Sequence, residues 1–185
     1  SWKSDYDTNY TFDVRDFLEV DGAIRSTNPD VLIDLASRKG SHYCDENVVE
    51  TLQCNVMGPE NVITACNDAK IPIIHFGTTA YYYSDESVKS INENTHMVPR
   101  TIYGWTKMGQ QLLLEQTAKV PYMIVEPVFL YGNMGKYASN RSESVPDLVV
   151  VLLKDSTKEA TVRIDPQWIN DFTHLKDFVI MFDIM

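Results

Sequence analysis

The distribution of apolar residues along the chain predicts three buried strands. Nearly continuous apolar runs occupy residues 31–36, 71–76 and 122–125. Such runs are typical of parallel strands that are buried on both faces. Pro72 stands at the start of the second run, where a strand tolerates proline, and Pro127 closes the third. A further short strand is predicted at residues 10–12.

Segments with apolar residues at helical spacing separate these strands. The predicted helices cover residues 17–24, 48–69, 101–119 and 148–153, and another begins at residue 175. Residues 37–47 are predicted as a polar loop, and residues 160–164 as a short strand. Gly58-Pro59 predicts a kink or a restart in the long helix. Alternation of strands and helices at this period predicts βαβ units, and hence an α/β fold with a parallel sheet.

Four short polar or glycine-containing segments fall at or just beyond the carboxyl ends of predicted strands. Ligands of parallel sheets bind at these ends, so we expect the segments to converge on one crevice. They are residues 13–16, 36–37, 77–79 and 131–132.

Tyr103 and Lys107 form the main candidate for chemistry. Residues four apart on a helix share a face, and an ammonium beside a phenol stabilises the phenolate and lowers the tyrosine pKa. Such a tyrosine can move a proton to or from a substrate hydroxyl. Burying the apolar stripe on the same predicted helix would leave the pair free for this use. That stripe consists of Trp105, Met108 and Leu112. The alternative is a solvated lysine lying over an exposed tyrosine.

Composition narrows the classes of partner and compartment. The 185 residues suit one domain or a large part of one. The formal charge is −10, and the sequence has no Lys/Arg cluster. An acidic chain of this kind is not expected to have nucleic acids or anionic membranes as its main partners. The longest apolar run, residues 148–153, is too short to span a bilayer. The three cysteines are not spaced as zinc ligands, so we predict no metal site at Cys44, Cys54 and Cys66. We predict that they are reduced thiols, which are typical of a cytoplasmic protein.

Seven segments, in their order along the chain, resemble the extended short-chain dehydrogenase/reductase family, the NAD(P)-dependent nucleotide-sugar epimerases and dehydratases. They are residues 13–16 (Asp-Val-Arg-Asp), 29–36, 55–58 (Asn-Val-Met-Gly), 76–79 (Phe-Gly-Thr-Thr), 103–107 (Tyr-Gly-Trp-Thr-Lys), 131–132 and 170–177. The resemblance implies a Rossmann-like parallel sheet flanked by helices and incomplete at its N-terminus. It also implies a nucleotide-binding domain at residues 1–132, without its first βαβ unit, and part of a substrate-binding region at residues 133–185.

The resemblance implies NAD or NADP as the cofactor. Asp16, with the backbone at Val14, would meet the adenine. Ala36 and Ser37 would line the cofactor ribose and diphosphate. The cofactor would perform the hydride chemistry, while the protein would supply orientation and electrostatics.

The resemblance also assigns the catalytic and substrate-binding residues. Tyr103 would be the acid/base, and Lys107 would hold the nicotinamide ribose and keep the Tyr103 pKa low. Thr79 would hydrogen-bond the substrate oxygen. The other predicted substrate contacts are Ala80, Tyr81, Asn133 and Arg163, where Arg163 or Arg141 could substitute for the family arginine that Asn170 replaces.

Three of the residues matched to the family also have an ordinary structural interpretation. Asp16 could be an acid at a helix N-terminus, and Thr79 could be a turn residue. Asn55, expected in the long helix behind the site, could be a core amide with its hydrogen bonds satisfied. Tyr81-Tyr82-Tyr83 is predicted to pack with an edge that faces the substrate, although three adjacent tyrosines would also suit a contact surface.

Several departures from the family pattern affect the expected activity. The family's opening G-x-x-G-x-x-G, which cradles the pyrophosphate, is not formed by any of the eight glycines, so we expect a fragment or a rearranged domain. Ala80-Tyr81 stand where dehydratases have Asp-Glu, which favours an epimerase or a reductase. Glu126 and Asn170 stand where the family usually has arginine.

The resemblance therefore implies an NAD(P)-dependent oxidoreductase or epimerase that acts on a sugar or nucleotide-sugar. The alternative is a non-catalytic relative, a binding or structural module that has lost cofactor binding. The family also implies a homodimer in which the Asn55 and Tyr103 helices pair with those of a second copy. Apolar residues of the Tyr103 helix, including Leu113 and Leu114, are expected to form that contact.

Overall fold

A computed structural model describes residues 11–82, 90–127, 129–131, 172–174 and 178. The chain divides into two compact units, one ending at Glu126 and the other beginning at Pro127. The sequence-based boundary after residue 132, and the functions assigned to the two parts, stay predictions.

The first unit contains a three-stranded parallel sheet. Its strands are β1 (Leu32–Asp34), β2 (Ile73–Phe76) and β3 (Tyr122–Val125), in the order β1-β2-β3. Asp34 is aligned with His75 across the first pair, and Phe76 with Val125 across the second. The predicted α/β fold with a parallel sheet is confirmed.

Helices connect these strands as the sequence pattern predicts, with one difference. They are α1 (Phe17–Thr27), α2 (Ser41–Glu46), α3 (Val48–Leu52), α4 (Gly58–Ala69) and α5 (Ile102–Thr117). A π-helical turn, Gln53–Met57, joins α3 to α4, and the helix restarts at Gly58, which confirms the predicted restart at Gly58-Pro59. The prediction of a loop at residues 37–47 is wrong for α2, because the fully buried Cys44 anchors that helix against the unit.

The start of α1 follows directly from local sequence chemistry. Asp16 caps the helix, since its Oδ1 accepts hydrogen bonds from Leu18 N at 2.9 Å and Glu19 N at 3.3 Å. At the other end, Asn28 adopts a left-handed conformation and its N–H donates to Ile24 O.

The core of the first unit lies on one face of the sheet. It is formed by buried residues of α1, α4, α5 and β2 and the segments beside them, namely Val20, Ile24, Val62, Ile63, Ala65, Cys66, Ile71, Ile73, Leu114 and Val120. On the other face Ile33 is half-exposed and Met123 is exposed. The expectation that β1 and β3 are buried on both faces is therefore wrong, because the described helices cover only one face.

Two further strands belong to the second unit. β4 (Phe129–Tyr131) pairs in parallel with β5 (Phe172–His174). The helix and strand predicted at residues 148–153 and 160–164 lie outside the described residues. The strand predicted at residues 10–12 is absent at residues 11 and 12, where the backbone has no described strand partner to complete its hydrogen bonds.

The described residues contain no helix that is long and apolar enough to cross a membrane. The same part of the chain holds no group of three or more His, Cys, Asp or Glu side chains that could bind a metal ion. Cys44, Cys54 and Cys66 are buried and free.

Candidate active site

Tyr103 and Lys107 lie one turn apart at the start of α5. Thr101 caps this helix, with its Oγ1 accepting from Gly104 N at 3.0 Å. Lys107 is only 5% exposed. Its Nζ donates to Phe76 O at 2.6 Å and to Gln110 Oε1 at 2.5 Å. The lysine ammonium is therefore held at the carboxyl end of β2, where parallel sheets bind ligands.

The buried face of α5 is polar, which corrects the expected orientation of this helix. Trp105 is 49% exposed and Leu112 is 43% exposed, so the predicted apolar stripe does not face the core. The side chains that are buried instead belong to Thr106, Lys107, Gln110, Gln111 and Leu114. Because most of these are polar, the helix is positioned largely by hydrogen bonds.

The surroundings of Tyr103 correct the expected direction of its pKa shift. Burial raises the pKa of the phenol, and a hydrogen bond with the Thr78 side chain opposes this rise. The Lys107 ammonium does not lower the pKa of Tyr103 here, because it points to the Phe76 carbonyl and Gln110. Thr78 is thus a site residue that the sequence analysis missed, although it is the first residue of the Thr-Thr pair noted there.

Lys107 lies in a buried polar environment. Burial lowers the pKa of its ammonium to about 8, and the Asp34 carboxylate partly opposes that shift. Asp34 on β1 is itself buried and its Oδ2 lies 3.0 Å from His75 Nδ1 on β2. The lysine therefore faces a buried carboxylate–imidazole pair from the sheet side.

A short 3₁₀ helix, Thr79–Tyr81, contacts the start of α5. A Cβ at Gly104 would lie 2.8 Å from Ala80 O, so glycine at this position permits the close approach. Thr78 caps the turn, and its Oγ1 accepts from Ala80 N at 3.2 Å. Thr79 and Ala80, both predicted to bind substrate, are half-buried and lie beside the Tyr103 helix.

Tyr81 does not have the substrate-facing position that was expected. It is fully buried, and its hydroxyl lies 2.5 Å from Glu126 Oε1 and 2.9 Å from Gln111 Oε1. Burial and the neighbouring Glu126 carboxylate raise the pKa of this phenol. The Tyr82 hydroxyl donates to the same carboxylate, 2.9 Å from Oε2. Glu126, which replaces the usual arginine, is therefore occupied in joining the 3₁₀ turn to β3.

The residues predicted to bind the cofactor only partly come together. A cleft of about 510 Å³ is lined by Thr11, Phe12, Asp13, Val14, Arg15, Glu19, Ser37, Arg38 and Cys54. It includes Val14 and Ser37 of the predicted set. Asp16 instead caps α1, which supports its structural interpretation. Ala36 does not line the cleft, and its N–H donates to Asp34 Oδ1 at 3.1 Å.

The cleft also contains charged residues that the sequence analysis did not assign. Arg15 is paired with Asp13 and holds the pKa of that carboxyl down at about 2. Arg38 is paired with Glu50, with Nη2 and Oε1 2.6 Å apart. Asp13 opens the same Asp-Val-Arg-Asp segment as Asp16, so this segment lines the cleft through Asp13, Val14 and Arg15 and not through Asp16.

Asn55 joins the cleft to α5. Its Oδ1 accepts from Arg38 N at 2.6 Å, while its Nδ2 donates to Arg38 O at 2.9 Å and to Thr106 Oγ1 at 3.1 Å. The side chain is fully buried within the π-helical turn. The structural interpretation of Asn55 as a satisfied core amide is correct, and the amide fixes the loop after β1 relative to the Tyr103 helix.

Two predicted substrate contacts, Asn133 and Arg163, lie outside the described residues. Tyr131 belongs to β4 in the second unit. The described part of the site consists of the Tyr103 helix, the 3₁₀ turn and the cleft beside α1.

Comparison with known sequences shows what this chain is similar to. A sequence model of the "NAD dependent epimerase/dehydratase family" matches residues 1–185. A UDP-glucose 4-epimerase from Mycoplasma genitalium is 25% identical over 157 residues, which is 80% of this chain and 46% of the relative. The chain spans about half the length of the curated relatives it matches.

Solved structures share the fold at lower identity. A dTDP-4-dehydrorhamnose reductase from Bacillus anthracis, in complex with NADP, has a TM-score of 0.78 and 17% identity, covering 94% of this chain and 57% of that one. A Thermus thermophilus UDP-glucose 4-epimerase in complex with NAD has a TM-score of 0.77 and 16% identity, with coverages of 94% and 58%.

Proposed function

Since the chain belongs to the NAD dependent epimerase/dehydratase family, we propose that it forms part of an NAD(P)-dependent epimerase or reductase of a sugar or nucleotide-sugar. The main support is the position of Tyr103 and Lys107 one turn apart on α5, with Lys107 Nζ bound to the carbonyl at the end of β2. Ligands of parallel sheets bind at such strand ends. The relatives named above as an epimerase and a reductase of nucleotide-linked sugars support the substrate class.

The described residues fit a nicotinamide nucleotide. An ammonium has three donors, and Lys107 uses two of them on Phe76 O and Gln110 Oε1. One donor is left for a hydroxyl of the nicotinamide ribose. The cleft lined by Val14 and Ser37 would take the adenine end. When bound, the nicotinamide would supply hydride acceptance and donation.

In this proposal the protein residues bind, orient and move a proton. Tyr103 Oη would take the proton from a substrate hydroxyl during oxidation and return it during reduction. The Thr78 hydroxyl would stabilise the phenolate, since its hydrogen bond lowers the Tyr103 pKa. The half-buried Thr79 and Ala80 would line the substrate side. Tyr81 has no part in this site because it is fully buried.

We expect calorimetry of the complete polypeptide to detect binding of NAD(H) or NADP(H). Lys107→Met should weaken that binding roughly tenfold or more, because a hydrogen bond to a charged group contributes about 1.5–3 kcal/mol. Lys119→Met is the matched control, since Lys119 is exposed just beyond α5. Absence of binding by all four nucleotides would refute the proposal.

One observation favours the non-catalytic alternative. Burial raises the pKa of Tyr103, whereas an active base needs a pKa near the working pH. A non-catalytic module would fail the calorimetric test, or would bind nucleotide and turn over no sugar substrate.

We also propose a cytoplasmic location. The three buried free thiols support it, because thiols stay reduced in that compartment.

We also propose a homodimer formed through α5 and the helix that contains the π turn. Apolar side chains on these neighbouring helices are exposed, including Val49, Met57, Trp105 and Leu112. Exposed apolar residues gathered on one side of a protein are typical of an interaction site. Leu114, expected in this contact, is buried in the core, and Leu113 packs against it.

The dimer proposal predicts that Trp105→Glu converts the protein to a monomer, because it places a charge in the apolar contact. Light scattering measures the mass. Leu18→Glu should leave the mass unchanged, since Leu18 is an exposed apolar residue on α1, outside the proposed contact. A monomeric mass for the unmodified protein would rule out the dimer.

A further inference from the structure

Gln110 makes the shortest described contact to the Lys107 ammonium. Its Oε1 lies 2.5 Å from Lys107 Nζ, and the two residues are three apart on α5. The Gln110 side chain is fully buried. An ammonium has donors only, so the amide must present its oxygen to the lysine.

This orientation leaves the other end of the amide unpaired. Gln110 Nε2 is buried and has no hydrogen-bond partner within the part of the chain that the structure describes. A methionine or leucine at this buried position would leave no unpaired donor. Packing alone therefore favours an apolar residue here, and the contact to Lys107 is what distinguishes glutamine.

The charged and titratable groups around Lys107 come from three elements. Asp34 on β1 interacts with the ammonium, and His75 on β2 is bound to Asp34. Tyr103 lies one turn earlier on α5. No carboxylate in the described residues makes a direct ion pair with Lys107, so neutral oxygens provide its direct contacts.

We propose that Gln110 is a positioning residue that holds the Lys107 ammonium at the carboxyl end of β2. This inference rests on the proposed function, in which Lys107 meets the nicotinamide ribose. Phe76 O and Gln110 Oε1 fix two of the ammonium donors, and the third is thereby directed to the ligand. Gln110 also stabilises the charged form of a lysine that solvent hardly reaches.

The test is the Lys107 pKa, measured by NMR on the complete polypeptide with lysine labelled at Cε. The Lys107 signal is assigned from its loss in Lys107→Arg. Gln110→Glu should raise the pKa by about one to three units, because an adjacent carboxylate favours the ammonium. Gln110→Met should lower the pKa of Lys107 below that of the unmodified protein, in which burial already lowers it, because an acceptor is removed.

Gln111→Met is the matched control. Gln111 is the next residue and is also buried, but its amide contacts Tyr81 and Glu115. This variant should leave the Lys107 pKa unchanged. If Gln110→Glu and Gln110→Met also leave it unchanged, Gln110 is only a packing residue and the proposal is overturned.

Nucleotide affinity separates this proposal from the proposed function. Gln110→Met should weaken NAD(H) or NADP(H) binding by about the same factor as Lys107→Met, while circular dichroism shows an intact fold. Unchanged affinity would overturn the positioning role. If the unmodified protein binds no nucleotide, the proposed function fails, and the role of Gln110 in directing Lys107 toward that ligand fails with it. The NMR titration then still decides whether Gln110 controls the lysine.

Discussion

Replacing Tyr103 with phenylalanine should lower turnover by the complete polypeptide about 100- to 10,000-fold, the range that a positioned acid/base contributes. The substitution removes only the hydroxyl, so the ring keeps its half-buried position beside the 3₁₀ turn. Nucleotide binding should stay close to the wild-type level, because Lys107 and the cleft are unchanged. The loss should therefore affect the chemical step.

Turnover is measured with nucleotide-sugars as substrates, and nucleotide affinity is measured on the same preparation. Tyr122→Phe provides the control, since Tyr122 is an exposed tyrosine of β3 without an assigned role. Full activity of Tyr103→Phe would exclude Tyr103 as the acid/base. Equal loss in both variants would indicate a general structural effect.

Replacing Asn55 with leucine should lower the free energy of unfolding by about 2–4 kcal/mol. Leucine has the same branching at Cγ but makes none of the three hydrogen bonds to Arg38 N, Arg38 O and Thr106 Oγ1. Each buried polar group left unpaired costs about 1–3 kcal/mol, and water can partly replace the bonds to Arg38 because this residue is exposed. Urea unfolding measures the change.

The chain offers a matched control for Asn55. Asn67 also binds backbone groups through its amide, with Nδ2 donating to Thr117 O at 3.0 Å and Oδ1 accepting from Lys119 N at 2.7 Å. Both bonds lie at the surface, so Asn67→Leu should cost less than Asn55→Leu. Hydrogen exchange adds a local measurement, since the Arg38 amide should lose protection only in Asn55→Leu. Equal stability of the two variants would contradict the role given to Asn55.

The buried face of α5 depends on partners that lie outside the helix sequence. Periodicity on α5 detects the apolar residues Trp105 and Leu112, but it does not tell which face meets the sheet. The face with Lys107 and Gln110 is buried instead, and the Lys107 ammonium finds acceptors at the end of β2 and on the helix itself. A buried polar face is stable when such bonds form, and these partners come from distant parts of the sequence.

Contacts within the fold also decide where the candidate site residues point. The spacing of Tyr103 and Lys107 indicated a shared face, yet the lysine ammonium turns toward Phe76 and burial raises the tyrosine pKa. Asp16 was matched to the adenine through its motif, while local chemistry made it a helix cap. In each case the direction of the side chain depends on a hydrogen-bond partner outside the motif. For Lys107 this partner is Phe76 O, and for Asp16 it is the backbone N–H groups of Leu18 and Glu19.

By itself, the sequence determined the order of strands and helices, the parallel sheet, the start of α1 at Asp16 and the family of the chain. These features depend on apolar periodicity, on capping within a few residues and on ordered motifs, all of which are local properties. Only the tertiary structure decided that Thr78 contacts Tyr103, that Gln110 contacts Lys107 and that Asn55 joins Arg38 to α5. Those contacts depend on distances between side chains whose directions are set by packing, which sequence spacing does not specify.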